Sequence, residues 1–505
     1  MECYGAAFIA EQPPFAELPQ HRVGRGFLPF QFVLAELHQL AGGDGRVAPY
    51  QLRKPLLHRA EACVLHRPHL LNNIKNVREG DIHIAVDFES YKGANVVGLY
   101  GQNGSGKTTV VNAFELLKTL LSGWVSTDSL PTNSRKMIHI DEQTAKLEFD
   151  FIVINEHGEF TVRYEVELQE GNGRLYPVME KLTYRENAHG KRSKTLVFKD
   201  HEHVQIRTDS LNNLPENLRI PVMVTNHLAQ KEHRSFIFHQ DLKPILNERL
   251  NDVEILLIHN LAHDFNRDLH VINNENIALV MTKYIMPFSV YLDKKRGTIP
   301  YNLSEPALLS APLFQTLVEV IGQTNKVLST IIPGLEIEVR KMTEQMLDDG
   351  EMGIRFEFLS KRGDRVLPLR TESEGILKII AVLSALIAVY NNPNACVVID
   401  ELDSGVFEYL LGELLTIIEE SGKGQLIFTS HNLRILEVLS SKNLWFTTAN
   451  ENNRYIQLKG VKALNNTRDV YLRAIQLGGQ DDEIYKETKT FHIKRAFRKA
   501  GKVNE

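Results

Sequence analysis

The stretch Gly101 to Thr109, GQNGSGKTT, is the feature that most constrains the fold of this chain of 505 residues. It fits the pattern G-x-x-x-x-G-K-[ST], in which glycines let the backbone wrap closely around phosphate oxygens. The apolar run NVVGLY precedes it and predicts a buried strand, and apolar residues at helical spacing follow it, from Val110 to Leu121. Strand, loop and helix in this order predict a phosphate-binding loop in an α/β fold. The alternative is a glycine-rich turn without a ligand.

This loop supplies a set of candidate contacts to ATP and Mg²⁺. Lys107 is expected to reach the β and γ phosphates, and Thr108 is expected to bind the metal ion. The start of the following helix adds free N–H groups and a favourable dipole. The predicted nucleotide-binding residues of the loop are Gly101, Gln102, Asn103, Gly104, Ser105, Gly106, Lys107, Thr108 and Thr109.

Two acids follow a second apolar run, Ala395 to Ile399, which is typical of a central parallel strand that delivers side chains at its carboxyl end. Asp400 is expected to hold Mg²⁺ through water, and Glu401 to orient or deprotonate the attacking water. The alternative is that both acids merely cap a helix start. Further along, QLIFTSH repeats the strand pattern and places His431 where an imidazole could contact the γ-phosphate or the water. A structural role is the alternative for this histidine.

A small polar cluster lies before these acids, in the segment LRTESEGILKIIAVLSALIAVY. It places Ser373 and Gly375 at the N-terminus of a strongly apolar helix, where free N–H groups and the helix dipole could grip the γ-phosphate of a second subunit. The alternative is an ordinary N-cap, in which Ser373 satisfies the first turn. Both interpretations can hold together, because the cap geometry exposes the donors.

Charge and composition narrow the function class. The formal net charge is −5 and the sequence pI is about 6.5. The chain therefore lacks the overall positive charge that is typical of proteins that bind nucleic acid. The three cysteines, Cys3, Cys63 and Cys396, are widely spaced, which excludes a disulfide framework and fits a reducing cytoplasm. The longest apolar run, 376–390, is interrupted by Lys378 and Ser384 and is too short to span a bilayer. We therefore expect a cytoplasmic protein without a membrane segment.

The pattern along the chain predicts several segments. AKLEFDFIVINEHGEFTVRYEVEL predicts a hairpin with two matching apolar faces. One face has Leu147, Phe149, Phe151 and Val153, and the other has Phe160, Val162, Tyr164 and Val166. The expected segments are a poorly ordered extension over 1–66, a lobe with the phosphate loop and hairpins over 67–205, a mainly helical insertion over 206–370, a lobe with the acids and the histidine over 371–475, and a basic tail over 476–505.

The basic tail contains KTFHIKRAFRKAGK, in which cations surround two phenylalanines. These residues are Lys494, Arg495, Arg498 and Lys499, around Phe491 and Phe497. They could contact nucleic acid or an acidic partner. The alternative is a solvated basic terminus.

The order of these motifs resembles the ABC-type ATPase heads of the RecF and SMC class, and is similar in particular to stand-alone bacterial ATPases of that class in anti-phage defence. The resemblance covers roughly residues 67–475. It implies an α/β P-loop NTPase head, with a mixed or parallel sheet, helices, an antiparallel β lobe and a helical insertion. It also implies an ATP-dependent head-to-head homodimer, or a higher homo-oligomer, with two nucleotides between the subunits.

The resemblance assigns roles to individual residues. Ser373 and Gly375 correspond to the signature that acts on the nucleotide of the second subunit, although TESEG is not the L-S-G-G-Q form. Asp400 and Glu401 form the Walker B pair, Asp403 lies in the D-loop, and His431 is the switch histidine. Gln230 is a possible candidate for the Q-loop glutamine.

Three functions fit the sequence. The first is an ATPase sensor or regulator subunit of an anti-phage defence system, acting with a separate effector such as a nuclease or toxin. The second is a RecF-like DNA-repair ATPase that binds DNA directly, and the third is a nucleotide-locked scaffold with negligible turnover. The balanced charge leans slightly against tight DNA binding.

Overall fold

The computed structural model describes residues 62–84, 94–124, 137–171, 173–274, 280, 285–292, 295–347, 350–461 and 466–500. Most of the expected extension over 1–66 therefore lies outside the described residues. Its last described residues, 62–66, belong to a strand that continues past residue 67, so this strand crosses the expected boundary.

Helices and strands alternate along much of the described chain. The helices are α1 (Lys107–Leu121), α2 (Glu216–Glu232), α3 (Lys243–Arg249), α4 (Asp252–His259), α5 (Asn266–Asp268), α6 (Ala311–Ile331), α7 (Glu374–Asn391), α8 (Glu408–Ser421), α9 (Ile435–Val438), α10 (Thr467–Leu477) and α11 (Thr490–Ala500). A π-helical segment, Asn260–Phe265, joins α4 to α5.

The strands of the described residues form four sheets. They are β1 (Ala62–Ile74), β2 (Val77–Gly80), β3 (Asn95–Tyr100), β4 (Thr144–Asn155), β5 (Gly158–Gly171), β6 (Arg174–Glu186), β7 (Lys194–Asp200), β8 (His203–Ile206), β9 (Asp209–Ser210), β10 (Leu269–Ile272), β11 (Ile285–Leu292), β12 (Lys295–Asn302), β13 (Ala307–Ser310), β14 (Leu335–Met346), β15 (Met352–Arg362), β16 (Arg365–Pro368), β17 (Cys396–Ile399), β18 (Gln425–Thr429), β19 (Leu444–Thr447) and β20 (Tyr455–Ile456).

The central sheet positions the candidate site. Its strand order is β10-β17-β18-β3-β19-β20, and all neighbours are parallel except the last pair. The strand that precedes the phosphate loop, β3, is thus separated from the strand that precedes the acids, β17, by β18 alone. Because parallel strands end at the same edge, the segments after all three strands meet there.

The antiparallel lobe is an eight-stranded sheet with the order β2-β1-β4-β5-β6-β7-β8-β9. The predicted hairpin is confirmed as β4 and β5, and its two apolar faces meet in register. The opposed pairs are Leu147 with Val166, Phe149 with Tyr164, Phe151 with Val162, and Val153 with Phe160, all buried. These side chains pack against α1 in one continuous core, so the lobe supports the helix that begins at the phosphate loop.

A side chain of the central sheet also fastens the two sheets together. The Gln425 amide at the start of β18 accepts a hydrogen bond from Leu65 N at 2.9 Å and donates one to Leu65 O at 2.6 Å. Both bonds are buried, so the glutamine amide takes the place of a peptide group beside β1.

The segment 206–370 is not mainly helical, and this prediction is corrected. Besides helices it contains β10, which lies in the central sheet, the hairpin of β11 and β12, and a four-stranded sheet of β13, β15, β14 and β16. The physical reason is visible in β15, where Phe356 and Phe358 are buried while Arg355 and Glu357 are not, as in a strand with one covered face. The helical patterns on either side obscured these short alternating runs.

Helix α7 is the most deeply packed helix near the site. By length and composition alone it could cross a membrane, but 67% of it is buried inside the protein. One face, with Val382, Leu386 and Val389, packs on the central sheet, and another, with Leu377 and Ile380, packs on the lobe of α6 and β13–β16. It is therefore a core helix between two layers.

The contact between α1 and the antiparallel lobe leads to a stability prediction. Phe149 is fully buried and its ring meets that of Phe114 of α1 edge-on, with centroids 6.1 Å apart. Phe149→Ala is expected to lower the free energy of unfolding by about 3–5 kcal/mol, because it leaves a cavity under the helix. Ile140→Ala, at a residue that is 93% exposed, is the control and should change it by less than about 0.5 kcal/mol. Denaturant titration measures both, and equal stabilities would contradict the packing.

Candidate nucleotide site

The phosphate loop joins β3 to α1 in a conformation that requires glycine. Gly106 precedes the first helical residue with φ 102°, in the left-handed region. At Gly101, a Cβ atom would lie 1.6 Å from Thr447 Oγ1, so no larger residue fits. The residues of the loop differ in their exposure. Asn103, Gly104 and Thr108 are exposed, Gln102 and Ser105 are half-buried, and Gly101, Gly106, Lys107 and Thr109 are buried.

The Lys107 ammonium lies inside the loop. Its Nζ donates to Gly101 O at 2.8 Å and to Gln102 O at 3.1 Å. Burial lowers the pKa of Lys107, and the nearby carboxylates of Asp400 and Glu401 oppose that shift. The group is thus a cation held by backbone carbonyls, for which phosphate oxygens are a stronger, charged acceptor.

Asp400 connects the three strand ends. Thr429, the last residue of β18, donates from Oγ1 to Asp400 Oδ1 at 2.6 Å, and Thr108 Oγ1 lies 3.4 Å from the same oxygen. The other oxygen, Oδ2, is buried and has no hydrogen-bond partner in the described part of the chain. A carboxylate oxygen with free lone pairs beside a threonine hydroxyl fits Mg²⁺, which prefers oxygen ligands. Thr108 and Asp400, the two residues predicted to bind the metal, would hold the ion.

Glu401 begins a tight turn in an unusual conformation. Its φ is 47°, which is uncommon for a residue with a side chain and costs about 1–3 kcal/mol. Thr429 Oγ1 accepts a hydrogen bond from Glu401 N at 2.7 Å, so one hydroxyl contacts both acids. The Glu401 side chain is half-buried and directly follows Asp400 in the chain.

His431 follows β18, which lies between β3 and β17, so it lies between the phosphate loop and the acids. Its backbone N–H donates to Asp403 Oδ2 at 3.1 Å. Desolvation lowers the pKa of His431, and the Lys107 ammonium lowers it further, against the carboxylates of Asp403, Glu401 and Asp400. A neutral imidazole at this edge can donate to a phosphate oxygen or accept from water.

The signature-like residues lie on the other side of the acid turn. Ser373 is exposed and is the N-cap of α7, with its hydroxyl accepting from Ile376 N at 3.4 Å, so the ordinary N-cap interpretation holds. A Cβ atom on Gly375 would lie 2.2 Å from Gly405 O, so α7 begins against the turn. Within the described residues, no hydrogen bond joins Ser373 to the phosphate loop of its own chain.

Sequence reasoning did not assign roles to several residues that contact this site. Thr429 was visible only as part of the run before His431, and Lys378 only as a charge that interrupts an apolar helix. Lys378 donates to Glu401 O at 2.5 Å. Tyr455, on β20, donates from its hydroxyl to Gly106 O at 2.7 Å, a contact from the far end of the sheet that no local pattern could indicate.

The Q-loop candidate lies elsewhere. Gln230 belongs to α2, on a segment that does not enter the central sheet. The strand beside β17 is β10, and Asp400 N donates to its last residue, Ile272, at 2.9 Å. The chain that follows Ile272 therefore reaches the acids, and its first residue is Asn273, whose amide donates to Glu115 of α1.

The chain is similar to several known proteins. A protein-family model described as "AAA domain, putative AbiEii toxin, Type IV TA system" matches residues 96–437. No curated protein matches the sequence. Among solved structures, an Smc head bound to the C-winged helix domain of ScpA is 12% identical, with 78% of this chain and 98% of that chain covered and a TM-score of 0.41.

Two further Smc heads are similar. The SMC head domain from Thermotoga maritima is 15% identical, with 78% of this chain and 99% of that chain covered and a TM-score of 0.35. The Smc head domain with an extended coiled coil from Pyrococcus furiosus, bound to the C-terminal domain of ScpA, is 12% identical, with 78% and 96% covered and a TM-score of 0.36.

The position of Lys107 gives a direct test of the site. Lys107→Ala is expected to abolish binding of MgATP, because it removes the cation that faces the phosphates. Titration with a fluorescent ATP analogue measures the loss. Lys118→Ala, in the last turn of the same helix, is the control and should bind as the unchanged protein does. Binding of the analogue by Lys107→Ala at the unchanged affinity would contradict the assignment.

Proposed function

The chain belongs to the AAA-domain family whose description names an AbiEii toxin and a type IV TA system, and we propose that it binds and hydrolyses ATP to control its own assembly. We further propose that it is an ABC-type P-loop ATPase head of the SMC and RecF class, because the phosphate loop, the two acids and His431 follow one another along the chain in that order. The proposal adds turnover, a nucleotide-dependent homodimer, and a role as sensor or regulator for a separate effector.

The chemistry of turnover follows from the residues at the sheet edge. Lys107 would bind the β and γ phosphates, and Thr108 and Asp400 would hold Mg²⁺, which neutralises phosphate charge when bound. Glu401 would orient the attacking water and accept its proton, since it lies next to Asp400 in a fixed turn. His431 would contact the γ-phosphate or the water from its place between the loop and the acids.

The dimer proposal depends on one observation, the exposed start of α7 against the acid turn. Ser373 and Gly375 lie on the D-loop side of that turn, and Ser373 is not bonded to the loop of its own chain. Free N–H groups at the start of a long helix suit a phosphate. A second copy, facing the first head to head, would bring its nucleotide to this helix, and each site would be complete only in the dimer.

The regulator proposal draws on the family. Its description names an AbiEii toxin and a type IV TA system, and an ATPase whose dimer forms with nucleotide can pass that state to a partner. We propose an anti-phage defence system with a nuclease or toxin as the effector, in the cytoplasm. The effector would recognise the closed dimer.

A RecF-like DNA-binding role is the second candidate, and helix α11 favours it. All its described side chains are exposed, including Phe491 at 71% and Phe497 at 76%. Four cations, Lys494, Arg495, Arg498 and Lys499, accompany them. Such a helix can contact a phosphate backbone, and DNA-stimulated hydrolysis with salt-sensitive binding would favour this candidate over the regulator.

Glu401→Gln separates hydrolysis from binding. Turnover is expected to fall by about 10²- to 10⁴-fold, because an amide cannot accept the proton of water. Binding of MgATP should persist, and the closed dimer should accumulate in mass photometry with ATP and Mg²⁺. Glu408→Gln, at an exposed position in the first turn of α8, is the matched control and should turn over normally. Unchanged turnover in Glu401→Gln would show that the Walker B assignment is wrong, and undetectable turnover in the unchanged protein would favour the scaffold.

Ser373→Arg tests the contribution of the second subunit. A long cation at the exposed start of α7 should block the facing subunit, so we expect normal nucleotide binding by a monomer and no ATP-driven dimer. Asp364→Arg, at an exposed turn of the same lobe, is the control. Mass photometry measures the fraction of dimer. Thermal unfolding measures the stability that is lost with the N-cap of α7, which is expected to be about 1 kcal/mol. If Ser373→Arg forms as much ATP-driven dimer as the control, the proposed role of α7 in the dimer is wrong.

A further inference from the structure

A buried lysine joins the signature-like helix to the acid turn. Lys378 lies in the second turn of α7, and its side chain is 1% exposed. Its Nζ donates to the backbone carbonyl of Glu401 at 2.5 Å. The acceptor thus belongs to Glu401, the proposed base and the first residue of the turn.

This placement is unfavourable for a lysine that only fills space. Transfer of an ammonium group from water to the interior costs several kcal/mol, and the nearby N-terminal end of a helix is a poor place for a cation. Burial lowers the pKa of Lys378 to about 8, and the carboxylates of Asp403, Glu401 and Asp400 oppose the shift. An apolar side chain would suit the rest of α7 better, so the contact with the turn accounts for the charge.

The backbone around Glu401 shows what the lysine holds. Glu401 adopts φ 47°, and each neighbouring peptide group has defined partners. On one side, its N–H donates to Thr429 Oγ1 at 2.7 Å. On the other, its carbonyl accepts from Lys378 Nζ and from Ser404 N, the latter at 3.0 Å. Removal of the lysine leaves one side of this strained residue held by the turn alone.

Helix α7 contacts both ends of the turn. Lys378 binds its first residue, and the backbone of Gly375 packs on Gly405 at its end. A Cβ atom at Gly375 would lie 2.2 Å from Gly405 O, so the backbones of the helix start and of the turn are in close contact. We therefore expect a displacement of the start of α7 to move the turn.

We propose that Lys378 is a positioning residue that holds Glu401 in its working conformation and ties it to the start of α7. The inference rests on the proposed ATPase function. In the head-to-head dimer, Ser373 of one subunit meets the nucleotide of the other, whereas Glu401 acts on the nucleotide of its own subunit. Through α7, Lys378 thus connects the nucleotide of the partner subunit, at Ser373, with the base that acts on the nucleotide of its own subunit. Binding of nucleotide at one site would therefore influence the position of Glu401 at the other site.

Lys378→Met tests the positioning role, because methionine has a similar length but neither charge nor donor. We expect kcat to fall by about 10- to 100-fold while the Kd for MgATP changes by less than about threefold, since the phosphate loop is untouched. Lys378→Arg keeps a charged donor and should recover most of the rate. Phosphate release and titration with a fluorescent ATP analogue measure the two quantities. Wild-type kcat in Lys378→Met would overturn the proposal.

A matched control comes from the antiparallel lobe. Lys199 is also 1% exposed and its Nζ also donates to a backbone carbonyl, that of Pro177, at 2.8 Å. Lys199→Met should keep the wild-type kcat per folded molecule, and an equal loss of kcat there would overturn a specific role for Lys378. If Lys378→Met does not fold, Lys378→Gln, whose neutral amide is one bond too short to reach Glu401 O, replaces it with the same expected split. Wild-type kcat in Lys378→Gln would overturn the proposal equally.

The link between the two sites has its own readout. Turnover by the unchanged dimer should rise with ATP with a Hill coefficient above 1, and in Lys378→Met the coefficient should fall to about 1. A coefficient of about 1 in the unchanged protein would overturn the link. The two proposals fail separately. If Glu401→Gln abolishes turnover while Lys378→Met keeps the wild-type rate, only the role of Lys378 is wrong; if Glu401→Gln has no effect, the ATPase mechanism itself is wrong.

Discussion

The buried carboxylate of Asp400 is the group on which the rest of the site depends. It is fully buried at the end of β17, and a buried charge is tolerated only with strong hydrogen bonds or a counter-charge. Thr429 supplies the short bond, and the same hydroxyl accepts from Glu401 N. Thr108 approaches from α1. One carboxylate at the end of β17 therefore contacts the end of β18 and the helix that follows β3, and these contacts are a consequence of the strand order β17-β18-β3.

The antiparallel lobe gives this arrangement its rigidity. The apolar faces of β4 and β5 pack under α1, and the Gln425 amide joins β1 to β18 by two buried hydrogen bonds. On the opposite face of the central sheet, α7 packs between the sheet and the lobe of α6. Because packed interiors do not deform continuously, a central sheet held between two such layers resists deformation.

Local patterns predicted the parts of the molecule that are encoded locally. The phosphate loop, the acids after an apolar strand and the β4–β5 hairpin each depend on a few adjacent residues, and the structure contains all three. The sheet of β13–β16 was missed, because its alternating runs lie between stronger helical patterns. The residues that contact the site from distant parts of the chain could not be predicted, for a different reason. Tyr455 bonds to Gly106 across 349 residues of sequence, and such pairings arise from topology that no window of sequence contains.

Lys378 could be predicted only in part. Its charge within an apolar helix was visible in the sequence, but the acceptor was not, because the turn at Glu401 lies 23 residues away. With the structure, the charge balance of the site can be considered as a whole. Two buried ammonium groups, Lys107 and Lys378, face three carboxylates, those of Asp400, Glu401 and Asp403. A nucleotide adds further negative charge, which this set cannot neutralise alone. Oδ2 of Asp400, which has no hydrogen-bond partner among the described residues, gives a divalent cation a ligand at this point, and the site is therefore suited to a nucleotide that arrives with its metal ion.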